Sequence, residues 1–285
     1  MRLPFVMVDV FAERPFEGNR LCVVPDAPPE LTTEQMATLA LEMNFSESTF
    51  VTASRADGYD VRIFTPDAEI PFAGHPTLGT AFVLASGGRT GTDVVQVSAA
   101  GEVPVRVDLD AGSATMRQLP PAFGPEVTDR AGIADAAGLT TDDLVADLPA
   151  VVATTGLPHV MVPVRDDAAL RRAVRRDRTA DVCAAVEAES LYLFTVRGDG
   201  AVVARMFDRG SEIGEDPATG SAAGPLGAYL AAHGLAGMPG RVVVAQGEMV
   251  RRPSFLYVDV EPAGDTWAID VTGGVRRVGE GVFEL

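Results

Sequence analysis

Length, composition and charge already exclude several classes of protein. The chain has 285 residues, 47% of them hydrophobic and 22% charged, so it can bury a sizeable core and is not a disordered chain. Its 23 basic and 40 acidic residues give a net charge of −17 at pH 7, which disfavours nucleic acid and membrane surfaces as partners. Every basic residue is arginine, and a chain without lysine cannot form the Schiff bases of pyridoxal-phosphate enzymes.

The cysteines and histidines predict a cytoplasmic protein without a metal. Cys22 and Cys183 are too few for a disulfide framework in a chain of this length, which fits a reducing compartment. The apolar N-terminal segment is interrupted by Asp9, too early for a signal peptide, and no apolar run reaches the roughly 18 residues of a membrane span. Three scattered histidines offer no metal-ligand spacing.

The first part of the chain alternates between strand and helix patterns. Strands are predicted at residues 4–11, 19–25, 47–53 and 59–65 from their β-branched and aromatic content. Between the second and third of these, Thr32 and Gln35 form a predicted capping box, and an amphipathic helix follows to about Asn44. The apolar face expected for this helix is formed by Met36, Leu39, Leu41 and Met43.

Internal similarity is the most informative feature of the sequence. Segments of the N-terminal half recur in the same order about 140 residues later. The matched pairs are Ser46–Val51 with Ala188–Leu193, Arg62–Ile70 with Arg205–Ile213, His75–Ala81 with Asp216–Ala222 and, more weakly, Gly18–Pro25 with Gly156–Pro163. The chain therefore reads as two copies of one unit.

Each copy contains a helix with no polar face, predicted to start at Pro76 and at Pro217. The second copy adds predicted helices near 167–175 and 179–187 and strands near 191–197 and 201–207. Pro120, Pro121, Gly124 and Pro125 mark the expected linker. The fold class is therefore α+β, with two pseudo-symmetric lobes, each a β-sheet wrapped around a central buried helix.

The expected lobes are residues 1–122 and residues 123–285. The N-terminal lobe carries Glu47 and the Gly-His-Pro motif, and the C-terminal lobe carries the Asp-Pro-Ala-Thr-Gly-Ser motif. The last strand is a candidate to return to the N-terminal lobe.

The two predicted buried helices have N-termini suited to an anionic ligand. Proline is favoured at the first helical position, which would make His75 and Asp216 the N-caps, next to free backbone N–H groups. Such N-termini bind carboxylates even in an acidic protein. Two ordinary capped helices would produce the same pattern, but the repetition of the motif favours a functional role.

The motifs resemble those of a known family. Asn44-Phe-Ser-Glu47, Ala73-Gly74-His75-Pro76 and Glu215-Asp216-Pro217-Ala-Thr-Gly220-Ser221 look like signatures of the PhzF-like family, the isomerases of phenazine biosynthesis and their relatives. The opening Val8-Asp9-Val10-Phe11 is similar as well, so the resemblance covers nearly the whole chain. It implies a diaminopimelate-epimerase-like fold with a cleft between two lobes, no cofactor and a homodimer.

The resemblance also implies roles for single residues. The acid/base glutamate of the family matches Glu47, which would move a proton between carbons of a dihydro-hydroxyanthranilate. Between the apolar side chains of Phe45 and Phe50, we expect Glu47 to have a raised pKa. The remaining site residues implied by the family are His75 and Asp216 as catalytic groups, with Gly74, Gly220 and Ser221 binding the substrate carboxylate.

Several alternatives stay open at this point. The chain is expected to be an isomerase acting on a small carboxylate-bearing substrate, but an unsaturated cyclic amino acid from another pathway is an alternative substrate. A non-catalytic small-acid binding protein could keep the same motifs, and Glu47 could be a surface residue, as its counterpart Glu189 could be. Racemases of this fold use two cysteines, but Cys22 and Cys183 are far from the motifs in sequence. Arg20 stands where the family usually has proline, which could alter the turn or bring a cation to the rim of the cleft.

Overall fold

The computed structural model describes residues 1–210 and 214–285, which form two compact units. Unit 1 comprises residues 1–117 and 272–285, and unit 2 comprises residues 118–271. The predicted repeat match at Glu212 and Ile213 lies outside the described residues. None of the helices in the described ranges is both long and apolar enough to cross a bilayer.

The secondary structure mixes helices and strands throughout the described residues. The helices are α1 (Thr33–Met43), α2 (Gly74–Ser86), α3 (Arg130–Ala136), α4 (Asp167–Arg172), α5 (Arg178–Ala185) and α6 (Gly220–Ala232), with a 3₁₀ turn at Thr141–Asp143. The strands are β1 (Arg2–Val10), β2 (Asn19–Val24), β3 (Glu47–Arg55), β4 (Gly58–Phe64), β5 (Glu69–Ile70), β6 (Asp93–Ser98), β7 (Gly101–Asp108), β8 (Ser113–Arg117), β9 (Ala122–Glu126), β10 (Val151–Thr154), β11 (Pro158–Pro163), β12 (Ser190–Val196), β13 (Val202–Asp208), β14 (Glu215–Asp216), β15 (Gly240–Gln246), β16 (Ser254–Ala263) and β17 (Thr266–Glu284).

In unit 1 the strand pairings form a closed ring. β2 runs parallel to β3 and β4 parallel to β6, whereas β1–β2, β3–β4, β6–β7 and β7–β8 are antiparallel. β17 closes the ring because it pairs with β1 and also with β8. α2 contacts β1, β2, β3, β6, β7 and β8. All of its residues except Phe82 and Ser86 are buried, which explains why its sequence shows no polar face.

Helix α1 covers the outside of the same sheet. Thr32 and Gln35 form the predicted capping box: the Thr32 hydroxyl accepts from the Gln35 N–H at 3.2 Å, and the Gln35 amide oxygen accepts from the Thr32 N–H at 3.0 Å. Met36 and Leu39 are buried as predicted, but Leu41 is 58% exposed. Ala40 takes the inward position, because it follows Met36 by four residues and so lies on the same face.

Replacing Thr32 with alanine is expected to lower the free energy of unfolding by about 1 kcal/mol, because it leaves the first-turn N–H groups without their cap. Thr38→Ala is the matched control on the same helix, since the Thr38 hydroxyl only back-bonds to the Glu34 carbonyl. Urea unfolding measures both, and equal midpoints for the two variants would contradict the role of the cap.

In unit 2 the strands follow a comparable series of pairings. β11 runs parallel to β12 and β13 parallel to β15, whereas β12–β13 and β15–β16 are antiparallel. α6 contacts β10, β11 and β16 and is buried from Gly220 to Leu230. A separate core lies under α3, α4 and α5, with Ile133, Leu170 and Cys183 at its centre.

The predicted linker contains a strand instead of a free connection. β9 includes Gly124 and Pro125 and pairs antiparallel with β10. All five residues of β9 are exposed, and a proline tolerates such an edge position because it needs no donor there. α4 and α5 occur where helices were predicted, although α4 ends at Arg172, three residues earlier than expected.

Candidate functional site

Glu47 and His75 come together on the inner side of unit 1. Glu47 is the first residue of β3, and His75 lies in the first turn of α2. The Glu47 carboxylate oxygen Oε2 lies 3.4 Å from His75 Nε2, and the side chains are 14% and 4% exposed. A carboxyl group and an imidazole are therefore held in contact in a largely water-free position.

The geometry identifies the ring nitrogen of His75 that carries the proton. Nε2 lies 3.2 Å from the carbonyl oxygen of Arg20, which can only accept a hydrogen bond. Burial lowers the pKa of His75 to about 3, so the imidazole is neutral at ordinary pH. Nε2–H is thus the donor, and it faces both the Arg20 carbonyl and the Glu47 carboxylate.

The buried histidines predict how stability depends on pH. Burial lowers the pKa of His159 to about 3 as well, whereas histidines of an unfolded chain titrate near 6.5. The unfolded state therefore binds more protons than the folded state between these values. We expect these two histidines to leave the free energy of unfolding unchanged above about pH 6.5 and to lower it as the pH decreases towards 3.

This expectation can be measured with urea titrations between pH 7 and pH 4. His75→Asn removes one of the two groups and should flatten the dependence in that range. A wild-type stability that stays constant as the pH falls through this range would contradict buried neutral imidazoles.

His75 is not the N-cap that the sequence predicted. Ala73 is the N-cap of α2, and Gly74, His75 and Pro76 form its first turn. A proline at the third helical position costs nothing, because its missing N–H is one of the first four that have no partner within a helix. His75 is therefore the second residue of α2 and not its N-cap.

Asp216 also lies outside the position predicted for it. It belongs to the short strand β14, opposite Met206, and α6 begins only at Gly220 with Thr219 as N-cap. The Thr219 hydroxyl donates to Asp216 Oδ2 at 2.6 Å. Gln246 holds this turn in place, since its amide nitrogen donates to the Asp216 carbonyl at 2.8 Å and to the Thr219 hydroxyl at 3.0 Å.

Gly220 and Ser221 form the first turn of α6, and Ser221 has a partner that sequence reasoning missed. The Ser221 hydroxyl lies 3.1 Å from His159 Nε2, and His159 Nδ1 lies 2.8 Å from the Ser190 hydroxyl. His159 is the second residue of β11 and Ser190 the first residue of β12. The repeat segment Ala188–Leu193 contains Ser190, and this is the sequence signal that could have drawn attention to it.

One repeat match differs in detail from the structure. Arg62 forms a two-pronged ion pair with Glu69, at 2.7 and 2.6 Å. Arg205 forms a similar two-pronged pair with Glu215, at 2.9 and 2.6 Å. The paired glutamate therefore follows its arginine by seven residues in unit 1 and by ten residues in unit 2.

The cysteines do not resemble the paired thiols of a racemase. Cys22 lies in β2 of unit 1 and Cys183 in α5 of unit 2, and both are buried and free. Burial raises the pKa of each thiol to about 12, so neither forms a thiolate at neutral pH.

Arg20 does not disturb the turn before β2. It continues β2 after Asn19, and its carbonyl accepts the bond from His75. Its guanidinium carbon lies 4.9 Å from the centre of the Phe45 ring, two residues before Glu47. A cation is therefore stacked beside the loop that leads to the candidate acid/base.

Comparison with known proteins places the chain in a family. The family model described as phenazine biosynthesis-like protein matches residues 8–281. The trans-2,3-dihydro-3-hydroxyanthranilate isomerase of Pseudomonas aeruginosa is 36% identical, over 97% of this chain and 98% of that protein. An uncharacterized isomerase of Deinococcus radiodurans is 37% identical, over 98% and 94%.

Solved structures agree with the sequence comparison. A predicted epimerase from Pseudomonas aeruginosa superposes with a TM-score of 0.87 at 34% identity, covering 99% of both chains. A probable proline racemase from Agrobacterium radiobacter, at 13% identity and a TM-score of 0.68 over 99% and 93% of the chains, shares the fold alone. The chain belongs to the phenazine biosynthesis-like (PhzF) family, whose named relatives here are isomerases.

Proposed function

We propose that the chain is a cofactor-independent isomerase that moves a proton on a small, carboxylate-bearing substrate similar to trans-2,3-dihydro-3-hydroxyanthranilate, with Glu47 as the acid/base. The observation that carries the proposal is the buried contact between Glu47 and the neutral imidazole of His75. The named activity of the Pseudomonas aeruginosa relative supports the substrate class.

The proposed reaction needs one group that both takes and returns a proton. The Glu47 carboxylate removes a proton from one substrate carbon, the electrons of the broken C–H bond form a new double bond to the neighbouring carbon, and the existing double bonds each shift by one position towards the carbon that will be protonated. The resulting Glu47 carboxylic acid then protonates a carbon further along the conjugated system, and the enol relaxes to a ketone. Atoms and electrons balance without an oxidant or a second substrate.

His75 is proposed to steer this proton transfer instead of carrying the proton. Its imidazole is neutral, and its Nε2–H faces the carboxylate. That N–H donates to the Arg20 carbonyl, which holds the imidazole ring 3.4 Å from Glu47 Oε2 and so helps to position the carboxylate for the substrate. Gly74, beside His75 in the first turn of α2, is proposed to offer a backbone N–H to the substrate.

On unit 2 we assign substrate binding to Asp216, Gly220 and Ser221. Asp216 is buried and held by Thr219 and Gln246, which suits a residue that orients a polar substrate group. Gly220 and Ser221 provide first-turn N–H groups of α6, a favourable position for a carboxylate. All of these groups are fixed before the substrate arrives, which limits the entropy lost on binding.

The proposal extends to the architecture and the assembly. We infer that the units repeat one ancestral fold around α2 and α6; the shared order of parallel and antiparallel pairings supports this. A homodimer is proposed from the family resemblance, and a protomer mass in light scattering at micromolar concentration would contradict it.

The first test is proton NMR in D₂O with trans-2,3-dihydro-3-hydroxyanthranilate. Turnover with deuterium at the receiving carbon is the expected result, because Glu47 exchanges its proton with solvent between steps. Binding without any exchange would indicate a small-acid binding protein. Exchange into an unsaturated cyclic amino acid, but not into this substrate, would keep the reaction class and replace the substrate.

A further inference from the structure

A chain of three buried side chains runs through unit 2. Ser190 lies 2.8 Å from His159 Nδ1, and His159 Nε2 lies 3.1 Å from Ser221. Their exposures are 0%, 1% and 7%, so water does not substitute for any of these bonds. None of the proposed catalytic steps uses His159 or Ser190.

The sheet register explains why these residues meet. His159 of β11 is directly paired with Ser190 of the parallel strand β12, so both side chains project from the same face of the sheet. α6 contacts β11 on that face and presents Ser221 from its first turn. The residues lie 31 and 62 positions apart in sequence, and only this packing brings them together.

A neutral imidazole has one N–H donor and one lone pair, so the chain can be arranged in two ways. In the first, Ser190 donates to Nδ1, Nε2–H donates to the Ser221 oxygen, and the Ser221 O–H is left to donate elsewhere. In the second, Nδ1–H donates to Ser190, the Ser221 O–H donates to Nε2, and Ser221 presents only lone pairs. Only the first arrangement suits a carboxylate, which cannot donate a hydrogen bond.

We propose that His159 is a positioning residue, set by Ser190, whose Nε2–H tautomer turns the Ser221 hydroxyl towards a bound carboxylate. This inference rests on the carboxylate-binding role proposed for Ser221. Under this proposal, binding of an anion selects one tautomer of His159, although His159 does not contact the ligand itself. A neutral amide in place of the carboxylate loses this selection, so the chain also discriminates between acids and amides.

The first readout is the tautomer of His159, measured by ¹⁵N–¹H correlation on histidine-labelled protein. Anthranilate is the carboxylate probe, and 2-aminobenzamide is its uncharged control. Anthranilate should drive His159 to the Nε2–H form, and the amide should not. Ser221→Ala should remove the response. An unchanged tautomer in saturating anthranilate overturns the proposal.

The second readout is kinetic. His159→Leu, which can neither donate nor accept, should raise KM about 10-fold or more with kcat changed less than about threefold, since a hydrogen bond to a charged group is being weakened. His159→Gln, whose amide can donate to Ser221, should restore most of the loss and also serves if the leucine variant fails to fold. An unchanged KM in both variants would overturn the proposal.

The experiment separates this inference from the proposed function. Glu47→Gln should still bind anthranilate and shift the His159 tautomer, because it leaves unit 2 intact. Turnover by the wild type without a tautomer response sinks the inference alone. A tautomer response without turnover by the wild type sinks the isomerase proposal alone.

Discussion

Glu47→Gln is expected to lower kcat about 1,000-fold or more, because a positioned acid/base typically contributes between 10²- and 10⁴-fold and this reaction needs both proton transfers. Glutamine keeps the size of the side chain and can keep its position beside His75 Nε2. It cannot take a proton from carbon. Deuterium incorporation from D₂O should disappear together with turnover, while KM stays close to the wild-type value.

Glu189→Gln is the matched control for this experiment. Glu189 corresponds to Glu47 in the sequence repeat, but its carboxylate pairs with Arg209 at 3.1 Å and is 35% exposed. The control should retain wild-type turnover, since a half-exposed ion pair contributes little even to stability. Turnover within about tenfold of wild type in Glu47→Gln would remove Glu47 from the role of acid/base.

The second large effect concerns the packing of α2. A Cβ atom at Gly79 would lie 2.6 Å from Leu21 Cδ2 and 2.8 Å from Val10 Cγ2. Both are buried residues of the ring of strands, so neither can move into solvent. Gly79→Ala should lower the free energy of unfolding by about 1–2 kcal/mol, because the strain exceeds the roughly 1 kcal/mol gain in helix propensity.

A graded series makes this prediction sharper. Gly79→Val adds two further methyl groups at the same contact and should cost about 3 kcal/mol or more. Gly198→Ala is the control, since its Cβ would meet nothing within 4 Å and its backbone is not left-handed. Urea midpoints should fall from glycine to alanine to valine at position 79. Equal midpoints would mean that α2 does not pack as tightly as described.

Local patterns predicted the elements whose causes are local. The capping box at Thr32 and the strand predicted at residues 59–65 depend on residues a few positions apart, and both appear in the structure. The buried character of α2 followed from the lack of a polar face between Pro76 and Ser86. Leu41 was assigned to the wrong face because apolar character alone does not identify the inward side of a helix.

The geometry of the candidate site could be predicted less well from local sequence patterns. The start of α6 depends on the bonds that Gln246 makes to Asp216 and Thr219, and Gln246 lies 30 and 27 residues further along the chain, respectively. The bond between His159 and Ser221 likewise depends on sheet register and helix packing. The motif resemblance identified Ser221, but a motif contains no information on its distant partners His159 and Ser190.

The path of β17 has a consequence for the synthesis of the protein. β1 pairs with residues 275–284, which leave the ribosome only after all of unit 2 has been made. Until then β1 has no partner on its outer edge, and the apolar interior around Val8 and Val10 stays open on that side. Unit 2 is continuous in sequence and can fold before unit 1 is complete. The ring of unit 1 therefore stays incomplete while more than 150 residues of unit 2 are translated. We therefore expect aggregation during synthesis, and any need for a chaperone, to begin at β1.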